Sequence, residues 1–235
     1  MKPLYLTPTV RQSLGSCLRP GGTTLTRRAI DFLGSDIGRI IADAGCGPGT
    51  GLRVLSDLGH TAFGVDLNVE LLSEAKALRT PLIQADIAQL PLLTGSVDTV
   101  LCECAWNLTR KEQTLSEFHR VLRPGGRLVL SDIYLRASGG GGDSNNSWPV
   151  TSCFSFASDL TTVKRMAQES GFEVELMEDH IGLFKQTAAE FVFAHGSLQA
   201  FWTEVLGDAQ MAESACCLSE RTKPSLFLLI AKRSG

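Results

Sequence analysis

The residues DAGCGPGTG, 43–51, place a carboxylate at the end of a short apolar run and glycines at alternate positions ahead of LRVLSDLG. An apolar run, a glycine turn and an amphipathic stretch read as strand, tight loop and helix. Such a loop is expected to turn its backbone N–H groups toward a ligand at the helix N-terminus. The chemistry predicted is the holding of a cofactor, and the side chains narrow which one. A dinucleotide fingerprint fails in both frames, because Thr50 or Leu52 stands where the last glycine of G-x-G-x-x-G belongs. Asp43 would also repel a pyrophosphate, whereas it suits a ligand carrying an ammonium or a sulfonium.

S-adenosylmethionine carries both of those cations. Asp66, about twenty residues past the first glycine, is at the distance where doubly wound folds place an acid on ribose hydroxyls, which a carboxylate accepts bidentately. PLIQADIAQLP repeats the strand-then-acid pattern with Asp86. In an open parallel sheet ligands sit at the carboxyl ends of strands near the switch point, so the loop 102–107 after the fourth strand, CECAWN, should border the reacting group. Candidate bases are Glu103, His180 and His195, and Trp106 is a candidate apolar or cation–π wall.

Asp43, Gly45, Gly47 and Gly49 make DAGCGPGTG resemble the first motif of the class I S-adenosylmethionine-dependent methyltransferases, and the order of segments over 19–134 resembles that superfamily too. The resemblance implies cofactor contacts at Asp43, Gly45, Cys46, Gly47, Asp66, Leu67, Asp86, Ile87 and Cys102. Within these, Asp86 would accept from the adenine amino group and the Ile87 N–H would meet a ring nitrogen. Gly21, Gly22 and Thr26 would approach the amino-acid end. CECAWN lacks the Asn or Asp, paired prolines and aromatic of nucleobase and glutamine N-methyltransferases, so the expected acceptor is a small molecule. The aromatics near 148–156 and 184–202 suit an apolar or quinone-like one. Arsenite methyltransferases belong to the same superfamily, and a thiolate-assisted variant would draw on Cys102, Cys104, Cys153, Cys216 and Cys217. A cofactor-binding module without catalysis is the second alternative.

The elements that must position these residues read as an α/β, Rossmann-like, seven-stranded and mostly parallel sheet with helices on both faces. The last strand, SLFLLIAKR, is expected to be antiparallel and at the sheet edge. A first strand at 39–42 follows a helix capped by Thr23, Thr24 or Thr26, and a later helix is capped by Ser158 or Asp159. One domain is expected over 1–235, with a flexible loop at 137–147 and a helical insertion at 181–224, two helices broken near Gly196, serving as a cap or a homodimer contact.

A net charge of −3 without a Lys or Arg run argues against nucleic acid and anionic membranes as partners. No apolar run has membrane-spanning length, and Pro3, Pro8 and Arg11 break any signal-peptide core, so the expectation is a cytoplasmic protein. Seven cysteines without C-x-x-C spacing read as free thiols rather than disulfides or a structural zinc site.

Overall fold

The computed structural model describes residues 3–137 and 148–235; the loop expected at 137–147 lies, apart from Ala137, outside them. Among the described residues the strands are β1 (Ile41–Ala44), β2 (Ala62–Asp66), β3 (Leu82–Gln84), β4 (Val97–Glu103), β5 (Leu122–Leu135), β6 (Phe172–Asp179) and β7 (Pro224–Arg233). They form one sheet in the order β3-β2-β1-β4-β5-β7-β6. The pairs β1–β2, β1–β4, β2–β3 and β4–β5 are parallel, and β7 runs antiparallel to both neighbours. The chain reverses its strand order between β1 and β4, and a crevice opens there at the strands' carboxyl ends.

Strand alternation distributes the core over two faces. Val100, Cys102, Leu128 and Leu130 pack with Leu115 and Phe118 of α5 (Lys111–Val121) and Val163 and Met166 of α6 (Leu160–Glu169). Leu101, Val129, Leu228 and Ile230 pack with α2 (Thr24–Leu33), α3 (Thr50–Asp57) and Leu72 of α4 (Val69–Ala75). Asp159 caps α6 by accepting from the Thr162 N–H, but Thr23 precedes α2 without a capping side-chain bond.

Several sequence expectations are corrected here. β1 begins two residues later than expected, since Arg39 and Ile40 give their N–H groups to the Asp98 carboxylate. β7 is interior, not marginal: residues 224–231 are buried on both faces, and the half-exposed β6 takes the edge. The insertion folds as three helices, not two: α7 (Ile181–His195), α8 (Leu198–Leu206) and α9 (Ala209–Thr222). Alanines 212 and 215 carry the buried stripe of α9, which makes its apolar signal weak. With α1 (Pro8–Leu14) and the turn Leu4–Leu6, these helices enclose a third cluster that includes Trp148, Phe201 and Trp202. No helix among the described residues is long and apolar enough to cross a membrane.

Candidate active site

A cavity of about 590 Å³ lies over the carboxyl ends of β1, β2 and β4. Its lining includes Gly45, Cys46, Gly47, Asp66, Leu67, Asp86 and Ile87, and also Glu103, so these residues from four separate segments are brought together. The glycines answer to specific contacts. Gly45 has φ +82°, and a Cβ there would stand 2.4 Å from the Ala105 Cβ. A Cβ on Gly51, in the first turn of α3, would stand 2.5 Å from Asp43 Oδ2.

The loop's amides do not point outward as a glycine-rich turn suggests. Gly45 and Cys46 both donate to Val65 O (2.7 and 3.0 Å), Gly47 donates to Asp66 Oδ2 (2.8 Å), and Gly49 donates to Cys46 O (2.9 Å). With those groups satisfied inside the protein, the loop offers no such cradle for a phosphate. A ligand without a pyrophosphate, facing carboxylates, is what this floor accommodates.

Asp43 lies beneath the loop, 3% exposed, and reaches the cavity by charge rather than contact. Burial, then the charge of Glu103, push its carboxyl up to about 7, with Arg19 opposing. Glu103 faces the cavity but is tightly held: Arg19 Nη2 lies 2.9 Å from Glu103 Oε2, and the Thr26 hydroxyl lies 3.0 and 2.9 Å from the two carboxylate oxygens. Arg19 also donates to Gly22 O and to Thr26 Oγ1. Sequence reasoning missed Arg19 and Tyr5, which line the cavity from outside the motif. Their only signal is position, in a segment that must fold back over the strand ends.

Other candidates lie elsewhere. Cys102 is fully buried against the α5 and α6 face and is not among the residues lining this cavity. Trp106 is also fully buried; its indole N–H donates to Lys111 O (3.2 Å), and the cation over its ring, at 4.8 Å, is the Lys111 ammonium. His180 bonds Glu178, and His195 sits between Ser13 and Glu204; neither lines this cavity or the smaller one beside it. Cys216 packs inside the insertion and Cys217 is exposed on α9, so of the five cysteines only Cys104 and Cys153 share a cavity wall. Burial, the largest cause, raises both of those thiols far above the ordinary range and keeps them protonated. Among the described residues no group of three His, Cys, Asp or Glu is arranged to hold a metal.

The loop after β4 is fixed by a buried pair. Asn107 donates its backbone N–H and its amide to the two oxygens of Asp132 (2.9 and 3.0 Å), and its amide also reaches Ile133 O and Cys153 O. Cys104, φ +53°, turns the chain out of β4 at that point, the left-handed strain being held by its N–H bond to Ser131 O.

A second cavity, of about 110 Å³, adjoins the first; Tyr5, Leu18, Cys104 and Leu108 line both. Its remaining walls come from the N-terminal segment 4–20, from residues 148–154, from α7 and α8, and from Ser219 of α9.

A sheet of this order with an acid-rimmed, phosphate-free crevice at its switch point defines a class of fold, and the comparisons agree with it. A family model described as a methyltransferase domain matches residues 42–130, and that stretch of the chain is similar to it. An arsenite methyltransferase of Halobacterium salinarum is 30% identical over 148 residues, 58% of this chain and 38% of that protein. The chain spans between 38% and 61% of the length of the first three curated relatives it matches. Phosphoethanolamine N-methyltransferase 2 of Haemonchus contortus superposes with a TM-score of 0.76 at 18% identity, over 97% of this chain and 56% of that one. The [4+2]-cyclase SpnF superposes at 0.75 with 21% identity, over 98% and 93%. At these identities the structural likenesses speak for the fold alone.

Proposed function

We propose that this protein transfers a methyl group from S-adenosylmethionine to a small organic acceptor. The observation that carries the reading is the pair of adjoining cavities, one rimmed by acids and one apolar, with Tyr5, Leu18, Cys104 and Leu108 common to both. In the larger, Asp66 suits the ribose hydroxyls and Asp86 with the Ile87 N–H suits the adenine. Arg19 suits the carboxylate of the amino-acid end, while the charge of Asp43 and Glu103 faces its cations.

S-adenosylmethionine supplies an electrophilic methyl on a cationic sulfur, so what remains for the chain is to align a nucleophile and exclude water. Orientation alone contributes on the order of 7–11 kcal/mol in such displacements. That is why no dedicated base is required; of the three candidates Glu103 lines the larger cavity, where it is held by Arg19 and Thr26, while His180 and His195 line neither cavity. The segment from Leu4 to Leu18 covers both cavities, tied down by the Leu4 N–H to Thr151 O, the Thr9 hydroxyl to Glu204 and the Thr50 hydroxyl to Ser16 O. The insertion serves as a cap on the acceptor side in this reading.

S-adenosylhomocysteine at 100 times its Kd should add about 2.7 kcal/mol to stability, a rise of roughly 5–10 °C in Tm, while NAD should leave Tm unchanged. Methyl-labelled cofactor incubated with fractionated small molecules should then yield labelled product. Binding without label in any fraction would instead favour a fold used for other chemistry, for which the likeness to a cyclase is a precedent.

The raised carboxyl of Asp43 gives a pH signature. Near pH 6 it is mostly protonated and neutral, with Arg19 and Glu103 as its charged neighbours. A cationic ligand favours the ionised form, so affinity for S-adenosylmethionine should rise about tenfold between pH 6 and pH 8, with release of a proton. Calorimetry in two buffers of different ionisation enthalpy reads that proton. Asp43→Asn should flatten the profile, and an unchanged profile would remove Asp43 from the cofactor's electrostatics.

A further inference from the structure

Away from both cavities, three helices bring together a serine, a histidine and a glutamate. Ser13 Oγ of α1 lies 3.0 Å from His195 Nε2 at the end of α7, and His195 Nδ1 lies 2.9 Å from Glu204 Oε2 of α8. The Thr9 hydroxyl donates to the other carboxylate oxygen, Glu204 Oε1, at 3.0 Å. The Phe201 ring meets the imidazole edge-on at 5.4 Å, so His195 is held by packing as well as by its bonds. None of Ser13, His195 and Glu204 lines either cavity, and the methyl-transfer reading gives none of them a chemical role.

Two features set this arrangement apart from an ordinary surface contact. The hydroxyls of Ser73, Thr114, Thr187, Thr203, Ser214 and Thr222, also in helices, each return to the carbonyl one turn back. Ser13 instead turns its hydroxyl to a ring nitrogen 182 residues away in the chain. The second feature is the placing of the proton. An ionised carboxylate only accepts, so Nδ1 carries the hydrogen and Nε2 of the neutral ring presents its lone pair to the Ser13 hydroxyl. In that tautomer a histidine can take a serine's proton, and the carboxylate steadies the imidazolium that forms.

We infer that Ser13, His195 and Glu204 form a second reactive site, with Ser13 as nucleophile, His195 as general base and Glu204 as the residue that positions the ring. Its substrate class is a small activated carboxylic ester. Val192, one turn before His195, is 38% exposed and offers an acyl chain an apolar shoulder, while partial burial of Ser13 and the imidazole keeps the substrate small. Ser13 Oγ bonds to the acyl carbon as its proton passes to His195 Nε2; the C–O bond to the leaving alcohol breaks, and the alcohol departs with that proton. Water then adds to the acyl carbon and gives a proton to Nε2, and the carboxylic acid leaves as Ser13 Oγ takes the proton back. Ester and water are consumed, acid and alcohol are formed, and the three side chains are restored.

The test uses the full chain and a fluorophosphonate probe, in which an Oγ–P bond forms, fluoride leaves and the serine proton goes to the base. Peptide mapping should find the label on Ser13, and Ser13→Ala should remove it. His195→Gln should slow labelling by about a hundredfold, the contribution of a general base. Glu204→Gln keeps an oxygen for Thr9 but offers Nδ1 an N–H, which turns the tautomer so that Nε2 faces Ser13 as a donor. Labelling should then fall by a similar factor, and nitrogen NMR of the His195 imidazole should show the hydrogen moved from Nδ1 to Nε2. Glu204 is 52% exposed, so this variant keeps the test open if His195→Gln fails to fold. Turnover of p-nitrophenyl acetate should fall in parallel with labelling across the variants. If the three residues only fasten α1 to the insertion, Ser13 takes no label, or takes it as fast in Glu204→Gln as in the unaltered protein, and the site is overturned.

Discussion

Arg19→Ala should lower the unfolding free energy by about 3–5 kcal/mol and remove measurable cofactor binding. The magnitude follows from burial: the side chains of Arg19 and Glu103 are 11% and 3% exposed, and they meet at 2.9 Å. Without the guanidinium, the Glu103 carboxylate keeps only the Thr26 hydroxyl and a 3.5 Å approach from Ser131. An ion left buried without its partner is among the most destabilising single changes a fold meets. The cycle is completed with Arg19→Met combined with Glu103→Gln, which leaves no bare charge and should recover most of the lost stability in urea titrations. It should not recover affinity for S-adenosylmethionine, because in our reading the same pair addresses the amino-acid end of the cofactor. A loss under about 1 kcal/mol in Arg19→Ala would show that water screens the pair as it screens a surface ion pair.

That pair also marks how far the sequence could be read. The motif was legible because it is local: Asp43, Gly45 and Gly47 sit in nine consecutive residues, and Asp66 and Asp86 follow at the ends of the next two strands. Arg19 and Glu103 are 84 positions apart and meet only because the chain before α2 folds back over β4. Nothing in the local pattern of RPGG announces that return. Cys102 was misplaced for a related reason. Every residue of β4 is buried, so the strand carries no polar alternation to say which face meets the helices and which end meets the crevice. Burial on both faces likewise placed β7 inside the sheet, where its unbroken apolar run belongs.

The amides of the glycine loop were the instructive miss. A strand, glycine turn and helix are shared by phosphate-binding and phosphate-free sites, and the difference lies in what the neighbouring strand does. Here Val65 O and the Asp66 carboxylate occupy the N–H groups of Gly45, Cys46 and Gly47. A carboxylate that repels a pyrophosphate and a loop that presents its amides to one pull in opposite directions, and the structure keeps only the first. Asp66 is therefore the acid on which the floor depends, with one oxygen on the loop and the other on the Asn68 N–H at 2.8 Å.

Asp66→Ala should accordingly weaken S-adenosylhomocysteine by roughly 1–3 kcal/mol, a factor of about 5–150 in Kd. Two effects are mixed in that number, the lost ribose acceptor and the released Gly47 amide, and they separate with a ligand lacking one hydroxyl. If Asp66 meets the ribose, the 2′-deoxy analogue of S-adenosylhomocysteine binds the unaltered protein severalfold more weakly than the parent does. The Asp66→Ala variant then binds parent and analogue alike, because the acceptor that told them apart is gone. If Asp66 only anchors the loop, the analogue suffers the same penalty in both proteins, and the ribose must be held by another group in the crevice. Calorimetry on the four combinations gives the coupling energy directly. A value near zero would leave Asp66 as the loop's anchor and return the ribose assignment to the other cavity-lining side chains between Gly47 and Leu71.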